Sequence, residues 1–368
     1  MDSHTFAAAF SSTHLYLTPR STQSLSALGL APTAKSSDEA ISLCCLEYIC
    51  ARAAEQAARL VREMRADLVG KDGRVAARAH KSSEVDPVTA VDEASERFLQ
   101  HFLLTAVPSS AILGEEEGRV VRADDLQEQG SWNVDSAGAQ LARGEQPAPK
   151  ATADQSVPTD KIVWVVDPID GTVNFMYGQP DCAVSVAATL DGIPVAAAVA
   201  PVTTGDTYHA RVGAPATYCS SENRSGTKLQ GGCREQARIL PGPAPSTLAT
   251  TLVATGFGYV AEQRASQAQV LLSVLPQVRD IRRAGSAALD LCHLAAGMVD
   301  AYYEHGLGPW DYAAGALIAA RAGVDVLVPR LKHDKTEKLL VVGAKSEVLP
   351  ELVEALDAAR AGVTLASK

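Results

Sequence analysis

The chain has 368 residues, of which 46% are hydrophobic and 21% charged, a globular composition that allows one large domain or two ordinary ones. The net charge of −10 argues against a general nucleic-acid binder, which needs a basic face, and no apolar run approaches the roughly 18 residues of a membrane span. Seven cysteines without regular spacing predict reduced thiols in the cytoplasm rather than a disulfide framework or a zinc site.

The first 36 residues are rich in Ser, Thr and Ala, with few charges and no hydrophobic period. Their start lacks the basic region and the apolar stretch of a secretory signal, and Arg20 and Lys35 supply little positive charge for a transit peptide. We predict that residues 1–36 form a disordered or loosely packed extension, and that residues 37–368 form the folded domain.

Two helices are predicted next. Apolar residues recur at helical spacing from Ile41 to Leu68, behind an N-cap at Ser37. Thr89 can cap a second helix that ends before Pro108. Asp92 occupies the third position of that helix, where it either closes a capping box or faces a cleft and positions a water molecule.

A run of acids follows a short predicted strand, Ala111-Ile112-Leu113, and a glycine. Three adjacent acids, Glu115-Glu116-Glu117, usually form a solvated turn, but at a strand end they also fit metal ligands. Residues 119–160 are then poor in apolar residues and rich in Gln, Ala, Gly, Pro and charges. We predict that this segment is a surface insertion.

The most informative stretch begins at residue 162. Ile162 to Val166 predict a buried strand, and we expect it to end at Asp167-Pro168 because proline cannot donate a hydrogen bond to a sheet. Two carboxylates three residues apart, Asp167 and Asp170, can hold divalent cations, with the Ile169 carbonyl as a further ligand. The alternative is an Asx-turn with two solvated aspartates.

The same stretch continues into a turn. Gly171-Thr172 predicts the start of a short helix, whose free N–H groups are suited to bind an anion. A metal site beside an anion site suggests chemistry on phosphate esters.

The remaining chain predicts alternating strands and helices. Strands are expected at 182–190 and 193–200, joined by a hairpin turn at Asp191-Gly192, and at 204–211. Residues 213–246 are expected to be a loop. Later strands are expected at 252–257, 281–283, 299–304 and 339–342, with helices at 262–276 and from residues 285, 308 and 346.

Three features of this half bear on chemistry. Small residues around Ala287 at a helix start permit close approach of a ligand, or merely close packing. Glu304, at a strand end, is a candidate acceptor for a substrate hydroxyl. Asp311 either caps a helix or completes a metal site.

Several of these stretches resemble one family. D-P-x-D-G-T-x-N-F at 167–175 is similar to the signature of the inositol monophosphatase family, metal-dependent and lithium-sensitive sugar phosphatases. Three further motifs resemble the family and stand in its order along the chain: D-x-V-T-x-x-D at 86–92 and G-E-E at 114–116 before the signature, and W-D-x-A-A-G at 310–315 after it. The stretch R-R-A-G-S-A-A-L-D at 282–290 looks most like the bacterial members of the family. Residues 321–326 depart from the common E-A-G-G, which puts the local packing in doubt.

The resemblance implies an α/β (α+β) fold, a layered α/β/α/β/α sandwich of the sugar-phosphatase type, and two or three Mg²⁺ ions. One ion would be held by Glu115, Asp167 and the Ile169 carbonyl. A second would be held by Asp167, Asp170 and Asp311, and Glu115 would help a weaker third.

The resemblance also implies roles around the phosphate. Thr172 and Asp92 would activate the attacking water, and the Gly171 and Thr172 N–H groups would bind phosphate oxygens. The alcohol would face Asp170, Ala287 and Glu304, and Lys81 would reach toward metals and phosphate from a loop.

These implications lead to one functional hypothesis, a Mg²⁺-dependent phosphomonoesterase that hydrolyses inositol monophosphate by a metal-activated water. Related phosphatases act instead on histidinol phosphate, fructose-1,6-bisphosphate or adenosine 3',5'-bisphosphate. A non-enzyme alternative is a regulatory metal-binding scaffold on a dead phosphatase fold, which would be expected to lose metal ligands that this chain retains. Homodimers are common in the family.

Overall fold

The structure, a computed structural model, describes residues 13–30, 40–81, 87–128, 156–220, 237–244, 247–331 and 339–361. Within these ranges the chain forms seven α-helices: α1 (Leu43–Leu68), α2 (Ala90–Ala106), α3 (Thr172–Tyr177), α4 (Ala261–Val274), α5 (Ala287–Ala295), α6 (Pro309–Arg321) and α7 (Leu349–Ala361). None of the helices in the described part of the chain combines the length and the apolar composition needed to cross a membrane.

The strands of the first half are β1 (His14–Leu17), β2 (Ala40–Ser42), β3 (Ala79–His80), β4 (Pro87–Val88), β5 (Ala111–Gly114), β6 (Val120–Arg122), β7 (Ser156–Pro158), β8 (Ile162–Asp170) and β9 (Ala183–Leu190). Those of the second half are β10 (Ile193–Pro201), β11 (Thr207–Arg211), β12 (Thr217–Cys219), β13 (Arg238–Ile239), β14 (Leu252–Thr255), β15 (Asp280–Arg282), β16 (Ala301–His305), β17 (Asp325–Pro329) and β18 (Leu340–Ala344).

Two large sheets and three helix pairs are stacked in five layers. Among the described residues, one sheet has eight strands in the order β13-β12-β11-β10-β9-β8-β5-β6, and the other has six in the order β1-β17-β18-β16-β14-β15. Helices α1 and α2 cover one face of the larger sheet, α5 and α6 pack between the sheets, and α4 and α7 cover the outer face of the smaller sheet. The predicted α/β/α/β/α sandwich is therefore confirmed.

The hairpin between β9 and β10 forms as its turn residues predict. Asp191 and Gly192 both have positive φ, 49° and 78°, and Leu190 pairs with Ile193 across the turn. Two consecutive residues with positive φ make the type of turn that matches the twist of an antiparallel pair.

Strand β8 does not end where the sequence predicts. It continues to Asp170, and its pairing with β9 shifts between Asp167, which faces Ser185, and Asp170, which faces Ala183. Two residues of β8 there oppose one residue of β9, which is a β-bulge. The expected end of the strand at Pro168 is wrong because a bulge accommodates a residue that donates no ladder hydrogen bond.

The N-terminal extension is partly ordered. Strand β1 pairs antiparallel with β17 at the edge of the smaller sheet, and the Leu17 side chain is fully buried. The prediction of disorder or loose packing is wrong for residues 13–30, because sheet pairing and apolar burial stabilise them. The rest of the predicted extension lies outside the described residues.

Arg321 holds this extension in place. Its guanidinium donates to the carbonyls of Ala214 (2.6 Å) and Pro19 (3.1 Å) and to the Thr22 hydroxyl (3.2 Å). Arg321 stands where the family commonly has an acid, so this departure from the family pattern has a structural role in this chain.

Two predicted loops contain strands. In the insertion, β6 pairs with β5, and β7 pairs with β2, with Val121 and Val157 buried. The prediction of a surface segment is therefore wrong at both ends of 119–160, and its part from 129 to 155 lies outside the described residues. In the loop predicted at 213–246, β12 and β13 extend the larger sheet.

Candidate active site

Three aspartates from two distant elements meet at the C-terminal end of β8. Asp167 and Asp170 lie on either side of the bulge, and Asp311 is the third residue of α6. One ligand atom from each of these carboxylates lies within 4.8 Å of the other two. The three side chains are close enough to share a cation.

Asp311 also caps its own helix. Gly308 is the N-cap residue and its N–H donates to Asp311 Oδ2 at 2.7 Å, so Asp311 contributes to the cap from the third helical position rather than as the N-cap. The same carboxylate belongs to the aspartate group, so capping does not exclude a role in a metal site, which stays a prediction.

Asp170 is held at the start of α5. Its Oδ2 accepts hydrogen bonds from the Ser286 hydroxyl at 2.6 Å and from the Ala288 N–H at 2.7 Å. The small residues around Ala287 therefore allow a close approach, and the group that approaches is the Asp170 carboxylate. The helix N-terminus is a favourable position for its negative charge.

The bulge itself is stabilised by polar contacts. The Ile169 N–H donates to Asp167 Oδ1 at 2.9 Å, and the Ser95 hydroxyl donates to the Pro168 carbonyl at 3.1 Å. The Ile169 carbonyl lies 3.1 Å from the Thr172 hydroxyl. A carbonyl oxygen has two lone pairs, so this contact leaves Ile169 able to serve as a further ligand.

Asp92 links the capping box of α2 to Thr172. Its Oδ2 accepts from the Thr89 N–H at 2.8 Å and from the Thr89 hydroxyl at 2.5 Å, which forms the capping box. Its Oδ1 lies 3.1 Å from the Thr172 hydroxyl. The capping box is therefore confirmed, and because the other oxygen contacts Thr172, it does not exclude the positioning of a water, which stays a prediction.

The short helix α3 starts at a glycine that this position requires. Gly171 has φ +90°, and a Cβ there would lie 2.7 Å from the Asp181 carbonyl. The Asn174 side chain donates to the carbonyls of Asp181 (2.7 Å) and Ala284 (2.8 Å). These bonds fasten the start of α3 to the turn before α5, so the predicted anion site and the Ala287 region are neighbours.

Glu115 lies at the end of β5 and is paired with Lys81. The Lys81 ammonium is 2.7 Å from Glu115 Oε1 and 2.7 Å from Glu116 Oε1. Glu115 is not part of the group of three aspartates, but its charge raises the pKa of Asp167 and of Asp311. Glu115 therefore lies between the aspartates and the Lys81 ammonium.

A residue without a predicted role, Glu96 of α2, supports the turn that carries Glu115. The Glu96 carboxylate is buried and accepts from the N–H groups of Glu116 (2.8 Å) and Glu117 (3.0 Å). A Cβ on Gly114 would lie 2.5 Å from this carboxylate. The glycine before the acids is the one sequence signal of this packing, because only a residue without a side chain leaves room for Glu96.

Glu304 lies at the end of β16 and is almost completely buried. Its Oε2 accepts from the Tyr302 hydroxyl at 2.8 Å. A Cβ on Gly256 would clash with the Glu304 carboxylate, so Gly256 provides the space for it. Burial raises the pKa of Glu304 to about 7, and the charge of Asp170 contributes to the increase.

The acids of the site repel one another in a buried setting. Burial, followed by repulsion from Glu115 and Asp170, raises the pKa of Asp167 and of Asp311 well above the ordinary value of a carboxyl. Burial also raises the pKa of Asp170 to about 6, although the hydrogen bonds from Ser286 and Ala288 oppose the increase. A cation beside these carboxylates would favour their ionised form.

The donor set fits a hard divalent cation. Every candidate ligand is a carboxylate or main-chain oxygen, the type of ligand that Mg²⁺ prefers. Asp167 and Asp170 are buried next to a partly exposed Asp311, an arrangement that needs positive charge for compensation. The site residues predicted from the sequence are thus brought together, although their roles stay predictions.

Comparison with known proteins agrees with this arrangement. The sequence profile described as the inositol monophosphatase family matches residues 46–361. The chain is 41% identical over 315 residues to the inositol-1-monophosphatase of Mycobacterium bovis, covering 84% of this chain and 93% of that protein. It is 32% identical over 242 residues to a Nus factor SuhB from Vibrio cholerae, covering 66% of this chain and 71% of that protein.

Solved structures have the same fold. SuhB from Mycobacterium tuberculosis superimposes with a TM-score of 0.60 at 36% sequence identity, over 85% of this chain and 96% of that chain. An inositol monophosphatase from Anabaena superimposes with a TM-score of 0.58 at 22% identity, over 88% of this chain and 97% of that chain, and supports the fold alone.

Proposed function

This chain belongs to the inositol monophosphatase family, and on that premise we propose that it is a Mg²⁺-dependent phosphomonoesterase that hydrolyses inositol monophosphate. The observation that carries the proposal is the group of Asp167, Asp170 and Asp311 next to the start of α3. The name of the Mycobacterium bovis relative supports the choice of substrate. We further propose that residues 37–368 are the catalytic domain.

In this proposal the metal ligands are Glu115, Asp167, the Ile169 carbonyl, Asp170 and Asp311. Bound Mg²⁺ would neutralise charge on the phosphoryl oxygens and favour loss of a proton from water. The ligand oxygens come from three separate elements, and the bonds that Asp167, Asp170 and Asp311 accept from main-chain N–H groups orient them before any cation arrives.

Thr172 and Asp92 would orient the attacking water. When the Thr172 hydroxyl donates its single proton to Asp92 Oδ1, its lone pairs are free to accept a hydrogen bond from water. As the hydroxyl takes a proton from the water, it would pass its own proton to the Asp92 carboxylate. The capping box keeps Asp92 in position for this role.

The phosphate and the alcohol would bind on either side of Asp170. The N–H groups of Gly171 and Thr172 would donate to phosphoryl oxygens, and Ala287 and Glu304 would face the alcohol. Lys81, now paired with Glu115, has a side chain that is 24% exposed and would turn toward the phosphate when a cation takes its place on Glu115.

The non-catalytic alternative is favoured by one observation, the name Nus factor SuhB of a relative with 32% identity. The complete set of acids argues against a dead scaffold. We also propose, from family membership and cysteine content alone, that the protein acts as a cytoplasmic homodimer and is inhibited by Li⁺.

Substrate profiling tests the proposal. The purified protein with Mg²⁺ is assayed for phosphate release from inositol monophosphate, histidinol phosphate, fructose-1,6-bisphosphate and adenosine 3',5'-bisphosphate, with and without Li⁺. We expect the highest kcat/KM for inositol monophosphate and no release in the presence of a chelator. A higher kcat/KM for another ester would change the substrate that we assign. Phosphate release from none of them would overturn the enzymatic function.

A further inference from the structure

Arg65, in the last turn of α1, joins two segments that are far apart in the sequence. Its Nε–H donates to the Phe175 carbonyl at 3.0 Å, and its Nη2–H donates to the Gly73 carbonyl at 3.0 Å. Phe175 belongs to the last turn of α3, and Gly73 belongs to the loop of residues 69–78, which follows α1. One guanidinium thus fastens the 69–78 loop to the C-terminal end of α3.

Two further contacts join the same loop to the same helix. The Val75 N–H donates to the Met176 carbonyl at 3.1 Å. The guanidinium carbon of Arg74 lies 4.2 Å from the centre of the Tyr177 ring, which is within the range of a cation–π interaction. The last carbonyls of a helix have no partner within the helix, so the loop and Arg65 supply hydrogen-bond donors that the end of α3 needs.

Gly178, which ends α3, leaves room for Arg65. It has φ +72°, in the left-handed region that favours glycine, and a Cβ there would lie 2.7 Å from Arg65 Nη2. The positive charge of Arg65 also lies at the C-terminal end of the helix, where a cation interacts favourably with the exposed carbonyl dipoles. Backbone conformation and charge therefore both favour this contact.

The two joined segments carry residues with proposed roles at the phosphate. Helix α3 starts at Thr172, whose hydroxyl lies 3.1 Å from Asp92 Oδ1. The 69–78 loop leads through β3 to Lys81, whose ammonium is 2.7 Å from Glu115 Oε1. Because α3 has only six residues, a shift of its C-terminal end would tilt the whole helix and displace Thr172.

We propose that Arg65 is a positioning residue: it holds α3 and the 69–78 loop in a fixed arrangement and so increases the affinity of the site for the phosphate group. Arg65 does not act by touching the substrate, because it contacts α3 at the end opposite to Thr172. The inference rests on the proposed function, which assigns Thr172 and Lys81 to the phosphate. It leaves metal binding unaffected, because the three aspartates are each oriented by a main-chain N–H donor of their own.

The test compares Arg65→Met with the wild type, both as full-length protein with Mg²⁺. Inorganic phosphate is the probe, because its Ki as a competitive inhibitor reports the affinity for phosphate without the alcohol. We expect Arg65→Met to raise this Ki and the KM for inositol monophosphate by a similar factor, about tenfold, since both ligands contain the phosphate group. The Mg²⁺ concentration for half-maximal activity should change by less than about twofold.

Two more variants sharpen the comparison. Arg59→Met is the matched control, because Arg59 is an exposed arginine of the same helix whose Nε lies 3.7 Å from Glu63 Oε1. We expect it to leave Ki and KM unchanged. Arg65→Lys keeps the charge, but a compact ammonium cannot reach both carbonyls as the guanidinium does, so its Ki should lie between those of the wild type and Arg65→Met.

A purely structural role of Arg65 predicts a different result. Loss of folded protein lowers the apparent kcat through the amount of active enzyme, but it leaves KM and Ki unchanged. Unchanged Ki and KM in Arg65→Met would therefore overturn the inference while the proposed function stands. A wild-type protein that releases phosphate from none of the esters would overturn the proposed function, and the inference with it.

Discussion

The Ser286 hydroxyl lies 2.6 Å from Asp170 Oδ2 and joins the bulge of β8 to the start of α5, more than a hundred residues later in the chain. The Ala288 N–H donates to the same oxygen, and the two donors together orient the Asp170 carboxylate, which is one of the three aspartates that lie close enough to share a cation. A metal ligand and the helix that borders the alcohol site are thus one connected unit.

Replacing Asp170 tests this unit. Asp170→Asn keeps an acceptor for Ala288 but removes a charge, so we expect turnover to fall by about a hundredfold or more. Removing one of several mutually repelling buried charges should not lower the free energy of unfolding. Ser286→Ala serves as the comparison: it keeps the Asp170 carboxylate and the Ala288 N–H donor, so we expect turnover to fall by only about tenfold. Unchanged hydrolysis by Asp170→Asn would contradict the proposed mechanism.

Thr172 and Asp92 should act as a pair. Thr172→Val removes the hydroxyl between Asp92 and the predicted water, and we expect a loss of about a hundredfold in kcat. The double variant Thr172→Val with Asp92→Asn should lose little more than Thr172→Val alone, because the two side chains act through one hydrogen bond. Thr172→Ser keeps the hydroxyl and serves as the control. Fully additive losses would show that the residues act independently.

Glu96 should act through the Glu115 turn rather than by direct contact. Glu96→Gln loses an acceptor for one of two N–H groups, and we expect the Mg²⁺ concentration for half-maximal activity to rise by about tenfold or more. Glu93→Gln, on the same helix, alters a partly exposed carboxylate that pairs with Arg78 and should leave it unchanged. An unaltered Mg²⁺ dependence in Glu96→Gln would rule out this role.

Stabilisation by Mg²⁺ should increase with pH. Burial raises the pKa of Asp92 and Asp170 to about 6 and that of Glu304 to about 7. Between about pH 4 and pH 7 these groups hold protons in the folded state that the unfolded state has released, so the free energy of unfolding of the metal-free protein falls as pH rises.

Mg²⁺ would bind the ionised form of its ligands, so its binding must displace protons from Asp167, Asp170 and Asp311, whose pKa values burial and mutual repulsion raise. We therefore expect the increase in Tm caused by Mg²⁺ to be larger at about pH 7.5 than at about pH 5.5. Thermal unfolding with Mg²⁺ or with EDTA at both values measures the difference. An equal increase at both would show that the carboxyls are already ionised without metal.

The N-terminal extension should contribute stability through Arg321. Arg321→Glu, the residue type common in the family, cannot donate to Pro19, Thr22 or Ala214, and we expect it to lower the free energy of unfolding by about 1–3 kcal/mol. Activity measured well below the Tm should not change. Chemical denaturation measures the loss. Equal stabilities would contradict the role of Arg321.

Local chemistry explains which features the sequence predicted. The Asp191-Gly192 turn, the Thr89 cap and the helix that follows it depend on a few neighbouring residues, whose backbone preferences are visible in one short stretch. The aspartates and Glu115 were also identified, but the resemblance to the family, rather than spacing alone, assigned their roles.

The sequence by itself determined the family and the acids offered for metal binding, because each depends on short motifs, and the layered fold followed from the resemblance to that family. Only the tertiary structure decided the bulge at Pro168, the pairing of Lys81 with Glu115, the support from Glu96 and the packing of β1 under Arg321. The physical reason is that a buried polar group must find its partner in space, and the partner can stand anywhere in the chain.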